Sequence, residues 1–521
     1  MQTILSNIRF IQIPLMLLLF VSVSCNGFLE LGPDDQVSGK NFFKTEADFK
    51  QALNAAYNPL RQVGPDFYTS EMRSDNTHYE YNPANQGTAI YMRQDLADFT
   101  YNSSNDYVSS IYVNSYKGIS RANIVLDRLP QATLSEQTRL NIEGQAQFLR
   151  AFYYFKLVRY FGRLPLYLHE VQNETDAFKQ QSTVDEVYTQ IILDAQAAIQ
   201  KLAPPSKFPQ TGEVNKGAAT MLLAQVYATQ KEFNKAAVLL KTLENMGYDL
   251  LRKYEDVFKT SNKNSKESIF EVQFKEGLTE GMESNFIYTF LPRCYNTAII
   301  TYGVVTNNTS NNGGGWNTPT QEMIDAYETG DTRLEASIGI AEGTYDASNY
   351  FKLEADKSVI NYHAPEGKVG VPYIKKYLNP HINPNNTNDN WPIYRYADAL
   401  LLMAEVQNEL GNTGAALPYL NRVRARALPQ ADPISTTDPN VLKELILHER
   451  RVELAFENHR WFDLLRSGKS VEIMNANGVW MKKNYPYLSK TSYEINTDKL
   501  LLPIPFSEIG VNPNLQQNPG Y

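Results

Sequence analysis

Two cysteines, Cys25 and Cys294, are all that 521 residues contain. That is too few for a disulfide framework, so packing has to hold the fold together. The zinc-peptidase HExxH, the hydrolase GxSxG, the P-loop and CxxC are all absent, which removes the commonest catalytic readings. The six histidines, His78, His169, His363, His381, His448 and His459, show no metal-ligand spacing. No catalytic residue, metal site or cofactor is therefore assigned. Acidic residues (57) outnumber basic ones (49), the net charge is −8, and no basic run is present that could track a phosphate backbone, which excludes nucleic acid as a partner. The N-terminal apolar run, Phe10 to Val23 with Gln12 and Pro14 inside it, is 14 residues long. A membrane-spanning helix needs about 20.

What is present begins with that same run. Arg9 precedes it and Ser22, Val23 and Ser24 follow it before Cys25, the layout of an export signal with a small-residue cleavage site. The site resembles a bacterial lipobox, departing from it at Ser22, where a Leu-like residue is usual. Cys25 is then the lipidated first residue of the mature chain. Residues 1–24 are expected to be removed, and 25–44 to form a lipidated N-terminus and polar tether.

Helical periodicity follows. Thr45 and Asp48 stand at capping-box spacing before a helix to Tyr57. Ile142, Ala146, Leu149, Tyr153, Leu157 and Tyr160 predict a helix over 140–160, closed by Gly162 and Pro165. Thr183 and Glu186 open another, which ends before Pro204. Leu223, Ala224, Tyr227, Ala236 and Leu240 fit a tetratricopeptide-like helix pair, and Met403, Ala404, Ala416 and Leu420 repeat the offsets. The copies are 180 residues apart, too far for a tandem array. From 259 to 390 the chain turns rich in Gly, Asn and Thr, predicting loops with a few strands. Helix is expected to resume at Trp391, and a last helix to run from Asp438 and Pro439 to about Ser467. The body thus divides into 45–258, 259–390 and 391–521.

Several motifs resemble the SusD/RagB family of Bacteroidetes outer-membrane nutrient-binding lipoproteins. They are Phe148 to Phe155 with Phe161 to Leu166, Tyr396 to Glu405, Asn421 to Arg426, Glu449 to Asp463, and Leu502 to Tyr521. The resemblance implies a mainly α fold: a SusD-like helical scaffold of four scattered tetratricopeptide-like helix pairs with an irregular ligand-binding segment. It implies a lipid-anchored protein at the outer-membrane surface, partnered by a SusC-like TonB-dependent transporter. The implied ligand is a glycan or, in RagB-like members, a peptide.

Within the last helix pattern, Leu442, Leu445, Ile446, Val452 and Phe456 define an apolar arc of about 120°, and Glu449, Arg460 and Asp463 fall inside it. Buried charges there read either as an acid/base site, as in a secreted glycan hydrolase, or as structural ion pairs. The second reading is expected, with Arg460 on Asp463 and Arg150 as a candidate partner of Glu449. A sugar site needs an aromatic platform edged by hydrogen-bonding groups. Two stretches supply that chemistry: Glu71 to Tyr79, with Arg73, Asp75 and Asn76 and continuing through Tyr81, Asn82 and Tyr91, and the loop Asn311 to Asn317. In that loop Trp316 is expected as the exposed platform beside Asn317.

Overall fold

The computed structural model describes residues 42–305 and 313–521. The export signal, Cys25 and the tether up to residue 41 lie outside the described residues, as do Asn311 and Asn312. Helix α1 (Glu46–Tyr57) opens with the expected box: the Thr45 hydroxyl accepts from Asp48 N–H, and the Asp48 carboxylate accepts from Thr45 N–H at 2.8 Å. Next come α2 (Thr88–Asp98), α3 (Asp106–Arg128) and α4 (Glu136–Phe161), the last containing the expected span and ending where Gly162 turns to φ 72°. Helix α3 lies outside the predicted helices although Val108, Ile111, Tyr112, Ile119, Ala122 and Val125 recur at helical spacing; Ser109, Ser110, Asn114 and Gly118 interrupt it with residues of low helix propensity. Packing overrides propensity here. A Cβ at Gly118 would stand 2.2 Å from the Tyr153 ring, so glycine is what lets α3 lie closely on α4.

Helix α5 (Val184–Lys201) starts from the Thr183–Glu186 box and packs on α4. The two small-residue repeats become two hairpins, α6 (Lys216–Thr229) with α7 (Phe233–Leu243), and α8 (Tyr396–Glu409) with α9 (Thr413–Ala427). Ala224, Ala236, Ala404 and Ala416 are fully buried at the helix contacts, and α7 packs on α8. Hairpins far apart in sequence are thus neighbours in space, and one core runs through both.

The intervening segment is more regular than its composition predicts. Strands β1 (Thr77–His78), β2 (Ser268–Val272), β3 (Cys294–Tyr295) and β4 (Thr318–Pro319) are followed by β5 (Ile338–Tyr345), β6 (Phe351–Ser358), β7 (Val369–Ile374) and β8 (Trp391–Arg395). A four-stranded sheet has the order β3-β6-β5-β7, antiparallel except for β3 on β6. The helix expected from Trp391 begins instead at Tyr396. Trp391 to Arg395 are the strand that pairs antiparallel with β2, Trp391 opposite Val272.

The last helix is two. Helix α10 (Pro439–Glu453), capped by the Asp438 side chain, stops at Leu454, and α11 (Arg460–Ser467) and α12 (Ser470–Asn484) follow. Phe456 and Asn458 take φ of 64° and 66°, a left-handed conformation costly for residues with a Cβ. The Glu71 carboxylate holds the turn by accepting Phe456 N–H at 3.1 Å and Asn458 N–H at 2.9 Å. Because the helix breaks, its apolar arc does not continue to Asp463, and the expected pairings change. Arg460 binds Asp75 at 2.7 Å, Asp463 takes Arg450 at 2.9 Å and Arg466 at 2.8 Å, and Arg150 takes Asp194. Glu449 meets Arg333 at 2.6 Å and Arg424 at 3.5 Å.

Glu449 belongs to a larger buried chain of charge. Arg333 joins Asp331, Glu449 and Glu453; Arg395 joins Glu453, Glu267 and Glu457; Arg426 joins Glu267 and Glu453; and Lys376 closes on Glu457. Burial alone would raise the Glu453 carboxyl, but Arg426, Arg395 and Arg333 outweigh it and hold it at about 2. Removing one partner of such a network leaves its neighbours charged and unpaired. Glu453→Gln should therefore cost about 3–5 kcal/mol in urea unfolding at pH 7. Since the folded value lies below the ordinary one, Glu453 contributes its stability above the usual carboxylate range and loses it as pH falls toward 2. The variant should lack that part of the acid slope.

Candidate functional site

The segment from Phe67 to Asn82 carries the site, and charge pins it from below. Asp75 receives Arg460 at 2.7 and 2.8 Å and Arg451 at 3.2 Å, and Asn76 bridges Arg451 and Glu71. Asp75 is held well below the ordinary carboxylate range, because Arg451 and Arg460 together outweigh its burial. Arg73 is fully buried, donating to the Tyr101 hydroxyl and to Lys499 O, with its guanidinium 4.3 Å from the Trp461 ring. On the other side β1 pairs with β4. Thr77 Oγ1 donates to Asn317 Oδ1, Asn317 Nδ2 donates to Phe67 O, and Glu80 N–H donates to Gly315 O. This stitching draws the 313–317 loop against residues 77–80.

These contacts correct the expected site. Trp316 is 1 % exposed, enclosed by Tyr68, Tyr79 and the Arg93 guanidinium at 4.9 Å. It is an internal wall rather than a displayed platform. Arg73, Asp75, Asn76 and Asn317 are likewise buried and engaged with protein partners, so none presents a polar group at the surface. Glycine-rich sequence around Trp316 suggested exposure; the backbone uses that freedom to fold the indole inward. Tyr91 is exposed, on α2.

What the buried layer lifts to the surface is a rim of tyrosines from four segments. Tyr81 lies parallel to Tyr487 at 4.1 Å and 12°. Tyr295, at the end of β3, sits 5.5 Å from Tyr350. Tyr345, at the end of β5, is exposed, and Tyr487 also neighbours His78 and Tyr79. Asn82 ties the first segment to the third by donating to Asn349 O. Between them Glu80 Oε2 accepts from Arg293 N–H at 3.4 Å. Burial pushes the Glu80 carboxyl up to about 7, against the pull of Arg293. Beneath the rim, Glu80 Oε1, Arg293 Nε and Nη1, and Trp316 Nε1 have no hydrogen-bond partner among the described residues. Such a group of unmatched donors and acceptors is uncommon in a folded interior and marks a place where other polar groups are wanted.

The arrangement offers flat amphipathic ring faces, edged by an amide, a carboxyl and a guanidinium. It suits a ligand with apolar C–H faces and many hydroxyls. Tyr81 and Asn82 stood in the sequence stretch singled out for binding. Glu80 lies in the same stretch without being singled out, Tyr295, Tyr345, Tyr350, Tyr487 and Arg293 lie outside it, and only the alternation Tyr79-Glu80-Tyr81 and the pair Tyr485-Pro486-Tyr487 hint at ring clusters.

Two family models match in succession. One, described as "Starch-binding associating with outer membrane", covers residues 27–228, and one described as "SusD family" covers residues 266–521. The chain belongs to the SusD/RagB family. It is 27% identical to SusD-like protein P38 of Formosa agariphila, over 98% of this chain and 100% of that one. It is 28% identical to SusD-like protein P2 of the same organism, over 98% and 99%. Among solved structures, a laminarin binding SusD-like protein superposes with a TM-score of 0.72 at 28% identity, covering 92% of this chain and 100% of its own. The mainly α, SusD-like scaffold is therefore established. No helix among the described residues is long and apolar enough to cross a membrane.

Burial of the indole sets what its loss would do. Trp316→Ala should destabilise the protein by about 3–5 kcal/mol in chemical denaturation, the usual cost of emptying a large aromatic site. An unchanged midpoint would mean the ring is not packed as described.

Proposed function

We propose that this protein is a surface glycan-binding lipoprotein, anchored through Cys25 at the outer membrane, which delivers an oligosaccharide to a SusC-like TonB-dependent transporter. The observation that carries the binding half is the convergence of Tyr81, Tyr487, Tyr295, Tyr350 and Tyr345 over the Glu80–Arg293 floor. Sugar rings stack their C–H faces on such aromatic faces, and their hydroxyls are both donors and acceptors, which a mixed carboxyl, guanidinium and amide floor can match. The laminarin-binding relative, whose fold this chain shares nearly end to end, supports a glucan as the first ligand to try. The lipobox-like site and the family's outer-membrane association support the anchor and the partner.

A hydrolytic reading has less behind it. The raised Glu80 carboxyl is tied to the backbone N–H of Arg293, and glycoside cleavage by a carboxylate pair needs a second acid placed across from it. No specific contact favours a peptide.

Calorimetric titration of the mature chain with laminarin oligosaccharides should detect binding. Tyr81→Ala combined with Tyr345→Ala should weaken it by about tenfold or more, since truncated aromatic anchors usually cost about 2 kcal/mol or above. Both positions are exposed, so the melting temperature should hardly move. Undiminished affinity in the double variant would refute the rim as the glycan platform.

A further inference from the structure

A second concavity lies away from the tyrosine rim, between α3, the loop after α4 and the short C-terminal helix Phe506–Val511. It encloses about 290 Å³, close to the lower end of small-ligand pockets, and its walls include Tyr112, Tyr116, Tyr167, Phe178 and Glu508. The rings form a box. Tyr112 and Tyr116 are 4.7 Å apart and inclined at 49°, and Tyr116 meets Tyr167 edge to face at 5.8 Å and 87°.

The polar groups of this cleft are unusually one-sided. The Tyr116 hydroxyl donates to Pro165 O and the Tyr167 hydroxyl to Ala177 O, while the Tyr112 ring packs on that of Tyr116. Asn123 Nδ2 is spent on the carbonyls of Tyr167 and His169, and Asn512 Nδ2 on Lys179 O. Apart from the hydroxyls of Tyr112 and Ser120 and the outer edge of His169, whose Nδ1 already faces Asp127, the donors of the lining side chains are spent on the protein. What remains is electron-rich: ring faces and the Glu508 carboxylate.

Glu508 is half-buried and has no ion pair or side-chain hydrogen bond among the described residues. Its charge is felt by the hydroxyls of both Tyr112 and Tyr167. Burial pushes its carboxyl up, with no cation to offset it. An unpaired acid beside three tyrosine faces is a poor match for an anion. It also suits a neutral sugar badly, because a sugar's hydroxyl oxygens would find few donors. The complement is a group that carries positive charge and needs only acceptors and π faces. The molecule itself shows the affinity: the Lys179 ammonium already rests 5.5 Å from the Tyr167 ring, where it donates to Leu166 O.

We infer that this cleft binds an organic ammonium group, seated against the Glu508 carboxylate and the faces of Tyr112, Tyr116 and Tyr167. The ammonium is either a quaternary head or a primary amine such as a lysine side chain or an amino sugar carries. This site is separate from the tyrosine rim, so the two stand or fall independently.

Calorimetry with choline, with its uncharged isostere 3,3-dimethyl-1-butanol and with N-acetyl-lysine amide tests it. Choline, the lysine amide or both should bind, and the isostere should bind at least roughly tenfold more weakly, the margin of a charge-assisted contact. Which cation binds more tightly tells the quaternary from the primary class. Glu508→Gln should remove that margin while leaving the melting temperature and laminarin binding as they were, which shows the variant folded. Tyr167→Leu should weaken the same ligand with Glu508 intact. Equal binding of choline and its isostere, full cation affinity in Glu508→Gln, or no binding of either cation would overturn the assignment.

Discussion

Everything near the tyrosine rim depends on a buried chain of alternating charge. Lys376, Glu457, Arg395, Glu453, Arg333 and Glu449 run through the middle of the molecule, each paired with the next. Charges taken out of water are expensive, and their worth lies less in net stability than in the geometry they demand. These particular residues sit on α10, on the turn after it, on β8, in the first turn of the short helix Thr332–Ser337 and at position 376. One network therefore fixes the helical scaffold against the strand-rich segment. A hydrophobic core alone would tolerate sliding between those parts; planar guanidiniums with bidentate partners do not.

The same logic reaches the surface through the break between α10 and α11. Ending the helix at Leu454 points Arg451 and Arg460 at Asp75 and turns two backbone N–H groups toward Glu71. Glu71 and Asp75 in turn set the course of residues 76–82. From there β1 and β4 fix the position of Trp316, and Tyr81 emerges against Tyr487. The strained φ values at Phe456 and Asn458 are thus tied to the site by a short chain of contacts, although neither residue belongs to it.

Much of this frame was legible in the sequence, for physical reasons that differ by element. Caps at Thr45, Thr183 and Asp438 are local hydrogen-bond chemistry, and each appears where the sequence places it. The alanine pairs at 224/236 and 404/416 register close helix packing, which needs small residues wherever the partner lies. What was not legible is whatever depends on a partner distant in sequence. The helix to Ser467 reads as continuous because no Gly or Pro interrupts Ala455 to His459, and the groups that hold the break are distant in sequence: Glu71 on the N–H groups of Phe456 and Asn458, and Lys376 and Tyr377 on the carbonyls of Ala455 and Phe456. Trp316 reads as exposed because its neighbours are glycines. Its burial is decided by Tyr68, Tyr79 and Arg93, which no local pattern connects to it.

The reversal at Trp316 also explains the composition of the rim. An indole offers the largest face but only one donor, whereas a tyrosine presents a face with a hydroxyl that both donates and accepts. The fold spends its tryptophans inward: Trp316, Trp391 and Trp461 are all at most 2 % exposed, and Arg73 and Arg93 lie over two of them. With the large rings used as walls, the surface is left to tyrosine, which tolerates water at its edge and a ligand on its face. The abundance of 33 tyrosines beside 4 tryptophans is what that division of labour requires. Recognition then rests on several moderate faces supplied by separate segments rather than on one dominant platform. Such a surface owes its shape to the charged frame beneath it.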